Sequence, residues 1–329
     1  MSRARIKRVA ARGAPEGLRL SSRRVGMALV YHRVAERAGD SSHELVPAVA
    51  RAAFESQLRF LLRHYSVVLA SDLMRAIAAR KRGQRIPVAV TFDDDLPEHV
   101  EVVRPILTAA GAPATFFVCG SSLDQPFFHW WESLQLAVDR DLLTPGHLRT
   151  LPEEHVRAAR TRVPGAIHEL AGEIERMRPD ERLRLTADLS ELVGGHQGGA
   201  RLSAADVQAL AADGFEIGFH TRRHDVLVGL PADVMEQRLT EGRERLEVLA
   251  RRPLSAVAYP HGKADEGVAA AAANASFRAG FTGLKEAATA STDPLLVGRL
   301  EPRPTDSARA FGEKIAMVLL HGWRREATR

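Results

Sequence analysis

PVAVTFDDDLPEHV, residues 87–100, passes from a near-continuous apolar run into three consecutive aspartates. A strand that is apolar at successive positions, rather than at every second one, is covered on both faces, as in a parallel sheet flanked by helices. Carboxylates crowded at its end repel one another and are costly out of water unless something positive or hydrogen-bonding meets them; a bound cation would do so. The carboxyl edge of such strands is where α/β sheets and barrels carry their active sites. Asp93 and Asp94, adjacent on an extended chain, point in different directions, so one can hold a metal while the other faces a substrate. The competing use of the cluster is to cap the helical segment that starts near Pro97.

Similar apolar runs recur at 26–32 (GMALVYH), 114–119 (ATFFVC), 215–220 (FEIGFH), 255–260 (SAVAYP) and 279–284 (AGFTGL), with weaker ones at 66–70 and 295–300. Between them, apolar residues at spacings of three and four predict helices over 54–65, 71–82, 203–214 with Ser203 as N-cap, and 231–250. A further helix over 97–110 carries Pro105, which should kink it. Strands alternating with helices make a parallel sheet, open or closed into a barrel. From about 126 to 199 no further strand is legible, which predicts a helical insertion, with GGHQGGARL as a flexible connection back.

The chain has 329 residues, 45% of them apolar and 26% charged, enough for one large α/β domain. Its net charge of +5 is concentrated at the start, where residues 1–24 hold eight Arg or Lys against Glu16 alone. This predicts a basic, disordered arm over 1–24, with weak contact to an anionic membrane surface within its reach, and a single domain over 25–329. The arm has no aromatic residues to stack on bases and the body no nucleic-acid motif, so no specific nucleic-acid partner is expected. No secretory h-region and no bilayer-spanning run stands out, which leads to the expectation of a cytoplasmic protein; the oligomeric state is left open. Cys119 stands alone and excludes an intramolecular disulfide framework.

A second polar cluster follows the 215–220 run: in GFHTRRHDVL, 218–227, His220 and His224 are four residues apart. Two imidazoles at that spacing can share one metal if the chain turns helically there. Joined by an aspartate from another strand end, they make a two-His, one-carboxylate set that leaves positions open for water and substrate.

TFDDD resembles the T-F-D-D-G motif of the polysaccharide deacetylases (carbohydrate esterase family 4), and HTRRH resembles their H-[ST]-x-x-H motif, in the same order. PATFFV, ALAADGFEIGFHTRRHDVL and AVAYPHGKAD agree with the family's texture, and the likeness runs from about Gly26 to Pro302. The resemblance implies a distorted (β/α) barrel and metal-dependent removal of an acyl group, usually acetyl, from an N-acylated sugar. Carried over, Asp93 would be the general base, and Asp94, His220 and His224 would hold a divalent metal. Zinc is the first choice, with nickel, cobalt or iron suited to the same donors.

Three departures matter. The family's R-x-P-Y motif falls on Ala258, Tyr259, Pro260 and His261, so the His261 backbone N–H can still meet an oxyanion, but the arginine that orients the catalytic aspartate is missing. Arg33, Lys263 and Arg299 are the candidates to replace it, each with a surface or structural ion pair as its other use. The C-terminal histidine that supplies the general acid has no match, whereas His32 ends the first apolar run. This is similar to the circularly permuted subgroup represented by poly-N-acetylglucosamine deacetylases, and it makes His32 the expected acid. Finally, Asp95 stands where the family has glycine, which suggests a cap or supporting role. Trp130 and Trp131 are candidates for sugar stacking or for core, Tyr259 for cleft lining or packing. His43, His64, His99 and His129 belong to no motif and are assigned no role. Two other readings stay open: deformylation or other amide hydrolysis of a lipid-linked or small-molecule substrate, and non-catalytic carbohydrate binding.

Overall fold

The computed structural model describes residues 16–123, 129–144, 151–195 and 201–327. Its strands are β1 (Val25–Tyr31), β2 (Val34–Ala35), β3 (Val49–Ala50), β4 (Ser66–Val68), β5 (Pro87–Asp93), β6 (Thr115–Val118), β7 (Glu216–Phe219), β8 (Ala256–Ala258), β9 (Ala279–Phe281), β10 (Ala288–Thr289) and β11 (Arg299–Leu300). Parallel pairing runs β1–β5–β6–β7–β8–β9, and the last stretch closes the ring: Val297 bridges to Phe281, while β11 pairs with β1 at Ala28 and Leu29. The result is the distorted (β/α) barrel that the family resemblance implies, the closed one of the two arrangements the apolar runs leave open. β4 adds to the lower half of β5, β10 runs antiparallel to the start of β1, and β2 and β3 pair apart from the barrel.

Every residue of β1, β5, β6 and β7 is buried, as expected for strands covered on both faces. Alternation still decides where each side chain goes. Val88, Val90 and Phe92 of β5 join the large core under the helices, whereas Ala89 joins a smaller cluster inside the ring with Ala28, Phe117, Ala256, Ala258, Ala279 and Phe281. Asp93 shares the interior parity of Ala89. That cluster combines alanines with two phenylalanines, whose rings are 5.5 Å apart, and with Leu73, Ile77 and Val297.

The helices that cover the barrel include α1 (Arg51–His64), α2 (Leu73–Ala79) and α3 (Arg104–Ala110). Ahead of α3 the chain makes a wide, π-type turn over His99–Val103, as the missing N–H and bulky ring of Pro105 require. The insertion supplies α4 (Trp130–Asp139), α5 (Glu153–Arg160), α6 (Ala166–Arg176) and α7 (Pro179–Leu192), around a core of their own that includes Leu134, Val156, Leu170, Ile174 and Leu189. Ser203 caps α8 (Ala204–Ala212) through a capping box with Asp206. The single helix expected over 231–250 is instead two, α9 (Ala232–Thr240) and α10 (Arg243–Ala250), because Gly242 takes a left-handed φ of 80°. α11 (Glu266–Asn274) and α12 (Ala308–Ala327) complete the order.

Residues 1–15, and most of the expected GGHQGGARL connection, lie outside the described residues; from Glu16 onward the chain packs on the body. Leu18 is buried in the main core, and the Arg80 guanidinium donates to the carbonyls of Leu18, Arg19, Ser21 and Arg23. Backbone carbonyls thus anchor a segment that carries Arg19, Arg23 and Arg24. Among the described residues, no helix is long and apolar enough to cross a membrane.

Gly218 lies on the interior side of β7, and a methyl group added there would overlap the Phe117 ring. Gly218→Ala is expected to lower the unfolding free energy by about 1–3 kcal/mol through overpacking, read as a lower urea midpoint with an unchanged slope.

Candidate metal and catalytic site

All six candidate residues gather at the carboxyl edge of the barrel. His32 follows β1, Asp93 ends β5 with Asp94 next to it, His220 follows β7, and His261 follows β8. His224 arrives from the turn after His220, which is not helical: Thr221 and His224 are left-handed at φ 50° and 55°. The turn nonetheless brings both rings to Asp94, whose Oδ1 lies 3.4 Å from His220 Nε2 and 3.4 Å from His224 Nε2. The three donor atoms all lie within 4.8 Å of one another.

These residues fit a divalent ion. Asp94 Oδ1 is buried and makes no hydrogen bond, an arrangement that is costly unless a cation meets it. Tetrahedral zinc with nitrogen and oxygen donors near 2.0–2.1 Å sets its ligands roughly 3.3–3.4 Å apart, which is the separation between Asp94 Oδ1 and each imidazole. His220 Nδ1 donates to the Ala258 carbonyl at 2.8 Å, which fixes its tautomer and turns the Nε2 lone pair to the site. Burial and the neighbouring His220 push His224 well below the usual imidazole range, so it stays neutral and able to ligate.

Asp93 is the other half of the site. Its carboxylate is 1% exposed, and Arg299 of β11 meets it with a two-pronged pair, Nη1 to Oδ1 at 2.9 Å and Nη2 to Oδ2 at 2.8 Å. Burial alone would raise the Asp93 pKa; Arg299, with His220 beside it, outweighs that and holds the group below its ordinary value. Of the three basic candidates, Arg299 is the one that meets Asp93, whereas Arg33 pairs with Glu98 and Lys263 with Glu175.

His32 is partly open to the cleft, with Nε2 4.0 Å from Asp94 Oδ2 and Nδ1 3.1 Å from Glu301 Oε1. Burial works against its charged form, but the Glu301 contact and the nearby aspartates raise its pKa to about 9. His99, held neutral by burial, donates from Nε2 to the His32 carbonyl at 3.0 Å and so steadies this strand end. Asp95 does not face the metal donors. It accepts the N–H groups of Cys119 and Gly120 at 2.7 and 3.1 Å, tying the β5 end to the β6 end. Its φ of 52° lies in the left-handed region, which glycine enters without strain.

The insertion enters the site as well. Trp130 packs on the insertion core, and both tryptophans line a cleft of about 840 Å³ that holds Asp93, Asp94, His220, His224 and His261. Tyr259 both packs and lines: its ring is buried and its hydroxyl donates to Leu295 O. His129, to which no motif draws attention, is buried 4.0 Å from Asp94 Oδ1, stacked on Trp131 at 4.1 Å. Its neighbour Glu132 pairs with Arg201, which donates to the Asp94 carbonyl at 2.8 Å. Glu301 is likewise missed, since nothing in LLVGRLEP marks it as the partner of a residue at the other end of the chain.

Arg299→Met leaves a carboxylate buried without its cation. It is expected to cost about 3–5 kcal/mol of stability in chemical unfolding, with a smaller loss for Arg299→Lys, which keeps charge but not the two-pronged geometry.

The polysaccharide deacetylase family model matches residues 80–280, a span that holds both motifs and the insertion but neither His32 nor Arg299. No curated protein matches the sequence. Among solved structures, the deacetylase PplD from Streptococcus pyogenes, determined in complex with acetate, aligns with a TM-score of 0.60 at 16% identity, over 88% of this chain and 98% of its own. IcaB from Ammonifex degensii aligns at 0.55 and 17% identity, over 89% and 97%, and a de-N-acetylase from Aggregatibacter actinomycetemcomitans at 0.55 and 15%, over 88% and 99%. At these identities the three share the fold, and the family match covers well over half of the chain. This chain belongs to the polysaccharide deacetylase family.

Proposed function

We propose that the protein is a metal-dependent hydrolase that removes an N-acyl group, acetyl in the first instance, from an amino sugar. Asp94, His220 and His224 hold the metal, which when bound supplies a Lewis acid for the substrate carbonyl and for the attacking water. The observation that carries the reading is the juxtaposition around Asp94: three metal donors, a buried carboxylate fixed by Arg299, and a histidine supported by Glu301, all on one cleft.

The remaining chemistry belongs to side chains of this chain. Asp93, oriented by Arg299, accepts a proton from water as its oxygen attacks the amide carbon. Charge gathers on the carbonyl oxygen, where the His261 N–H donates to it. The C–N bond then breaks, and protonated His32 gives its proton to the departing nitrogen, leaving a carboxylic acid and a free amino sugar. The acetate held by the Streptococcus pyogenes relative is the product this route predicts. Trp130 and Trp131, nearly perpendicular to each other on the cleft wall, offer apolar ring surface against which a sugar can pack.

The test is a panel of N-acetylated and N-formylated sugars incubated with protein loaded with zinc, nickel, cobalt or iron, with the released acid and the free amine detected by mass. Release is expected, with loss on chelation and recovery on adding the metal back. Silence across the panel would favour a carbohydrate-binding protein without catalysis.

On a substrate that responds, Asp93→Asn is expected to abolish turnover while the metal content stays at wild-type level. His32→Gln should lower kcat roughly 10²- to 10⁴-fold, the span associated with a general acid. Unimpaired turnover by Asp93→Asn would remove that residue from the mechanism.

A further inference from the structure

The Pro260–Gly262 turn is gripped from two sides. On the barrel side, Gly283 N donates to the Gly262 carbonyl at 2.9 Å, and a side chain at Gly262 would overlap the Gly283 backbone. On the other side the grip comes from the insertion. Glu175 of α6 sets Oε1 3.5 Å from His261 Nδ1 and Oε2 3.3 Å from Lys263 Nζ. Trp131 meets the His261 ring edge-on at 5.5 Å, and Trp130 lies nearly parallel to it at 6.5 Å. The fourth neighbour is His224, 4.8 Å away.

What is gripped is strained. His261 has φ 55° and ψ 12°, a left-handed conformation that a residue with a side chain keeps only where its surroundings over-determine it. Releasing the ring lets the peptide relax toward negative φ, which re-aims the His261 N–H. That N–H is the one assigned to the oxyanion, and hydrogen-bond donors of this kind act only when fixed in advance.

We propose that Glu175 is a positioning residue for deacylation: reaching in from the insertion, it pins the His261 ring and so holds the left-handed turn whose N–H meets the oxyanion. The proposal rests on the deacylase reading above. It makes the insertion part of the catalytic apparatus, beyond its role as a wall of the cleft.

The alternative is that Glu175 merely docks the insertion on the barrel, and kinetics separate the two. Glu175→Ala is expected to lower kcat roughly 10- to 100-fold, the scale of a misaimed donor, with KM, metal content and melting temperature close to wild type. Glu175→Gln, which keeps an oxygen facing Nδ1, should recover part of the loss, and it carries the comparison if the alanine variant does not fold. In a His261→Asn background, which tolerates the left-handed turn but lacks the ring, the change at Glu175 should have no further effect. A loss of equal size in both backgrounds, a raised KM at unchanged kcat, or a fully active Glu175→Ala would overturn the proposal. Absence of acyl release by the wild-type protein in the same assay would defeat the deacylase reading and this proposal together, whereas an active wild type beside an equally active Glu175→Ala defeats the proposal alone.

Discussion

A carboxylate that is 1% exposed inside a barrel of alanines and phenylalanines needs a cation, and Asp93 obtains one from the last strand of the chain. Arg299 can reach it because Val297–Leu300 slots between β9 and β1, and β1 lies beside β5. Ring closure and the fixing of the proposed base are therefore one event. The same closure sets Glu301, two residues beyond Arg299, against His32 at the end of β1. An open sheet of the same strands would leave Asp93 facing water and His32 without its carboxylate. The pair is costly to break and contributes little net stability over an apolar filling, so its value lies in orientation: two parallel hydrogen bonds leave the carboxylate one way to point.

Much of this was legible in the sequence because two kinds of signal are local. Near-continuous apolar runs mark strands buried on both faces, and TFDDD and HTRRH each put several ligating or catalytic groups within a few residues. What could not be read is whatever depends on register between distant segments. Arg299 was one of three basic residues of equal standing, separated from Asp93 by 206 positions, and only strand neighbours decide among them. His129 carries no motif; its burial beside Asp94 follows from Trp131, Glu132 and Arg201 acting together. The break at Gly242 was hidden by helical periodicity on both sides of it, and the packed end of the basic segment by charge, since what the Arg80 guanidinium meets there is backbone carbonyls, which no charge pattern marks.

The insertion begins and ends on the same few atoms. At its start, His129 and Glu132 cap α4, and Glu132 pairs with Arg201 just past its end; Arg201 in turn donates to the Asp94 carbonyl. Asp94 thus sends its carboxylate to the two histidines and its carbonyl to the base of the insertion. Any shift of the insertion is felt at a residue that carries a proposed metal donor. The insertion core of Leu134, Leu170, Ile174 and Leu189 gives these contacts a rigid backing.

Backbone strain collects where these demands meet. Asp94, Asp95, Thr221, His224 and His261 are all non-glycine residues with left-handed φ, and all lie on the carboxyl rim of the barrel. Each such residue is unfavourable by itself and persists because its surroundings leave no alternative. Here those surroundings are identifiable. Cys119 and Gly120 hold Asp95, Arg201 holds Asp94, the Thr221 hydroxyl accepts from Asp225 N, and Glu175 with two tryptophans holds His261. At position 95 the family's glycine would enter this conformation without cost; aspartate is strained there, and in return its two oxygens bind the end of the next strand. The rim is therefore stiff before any ligand arrives, and donors at a site built this way need little rearrangement to meet a cation or a developing charge.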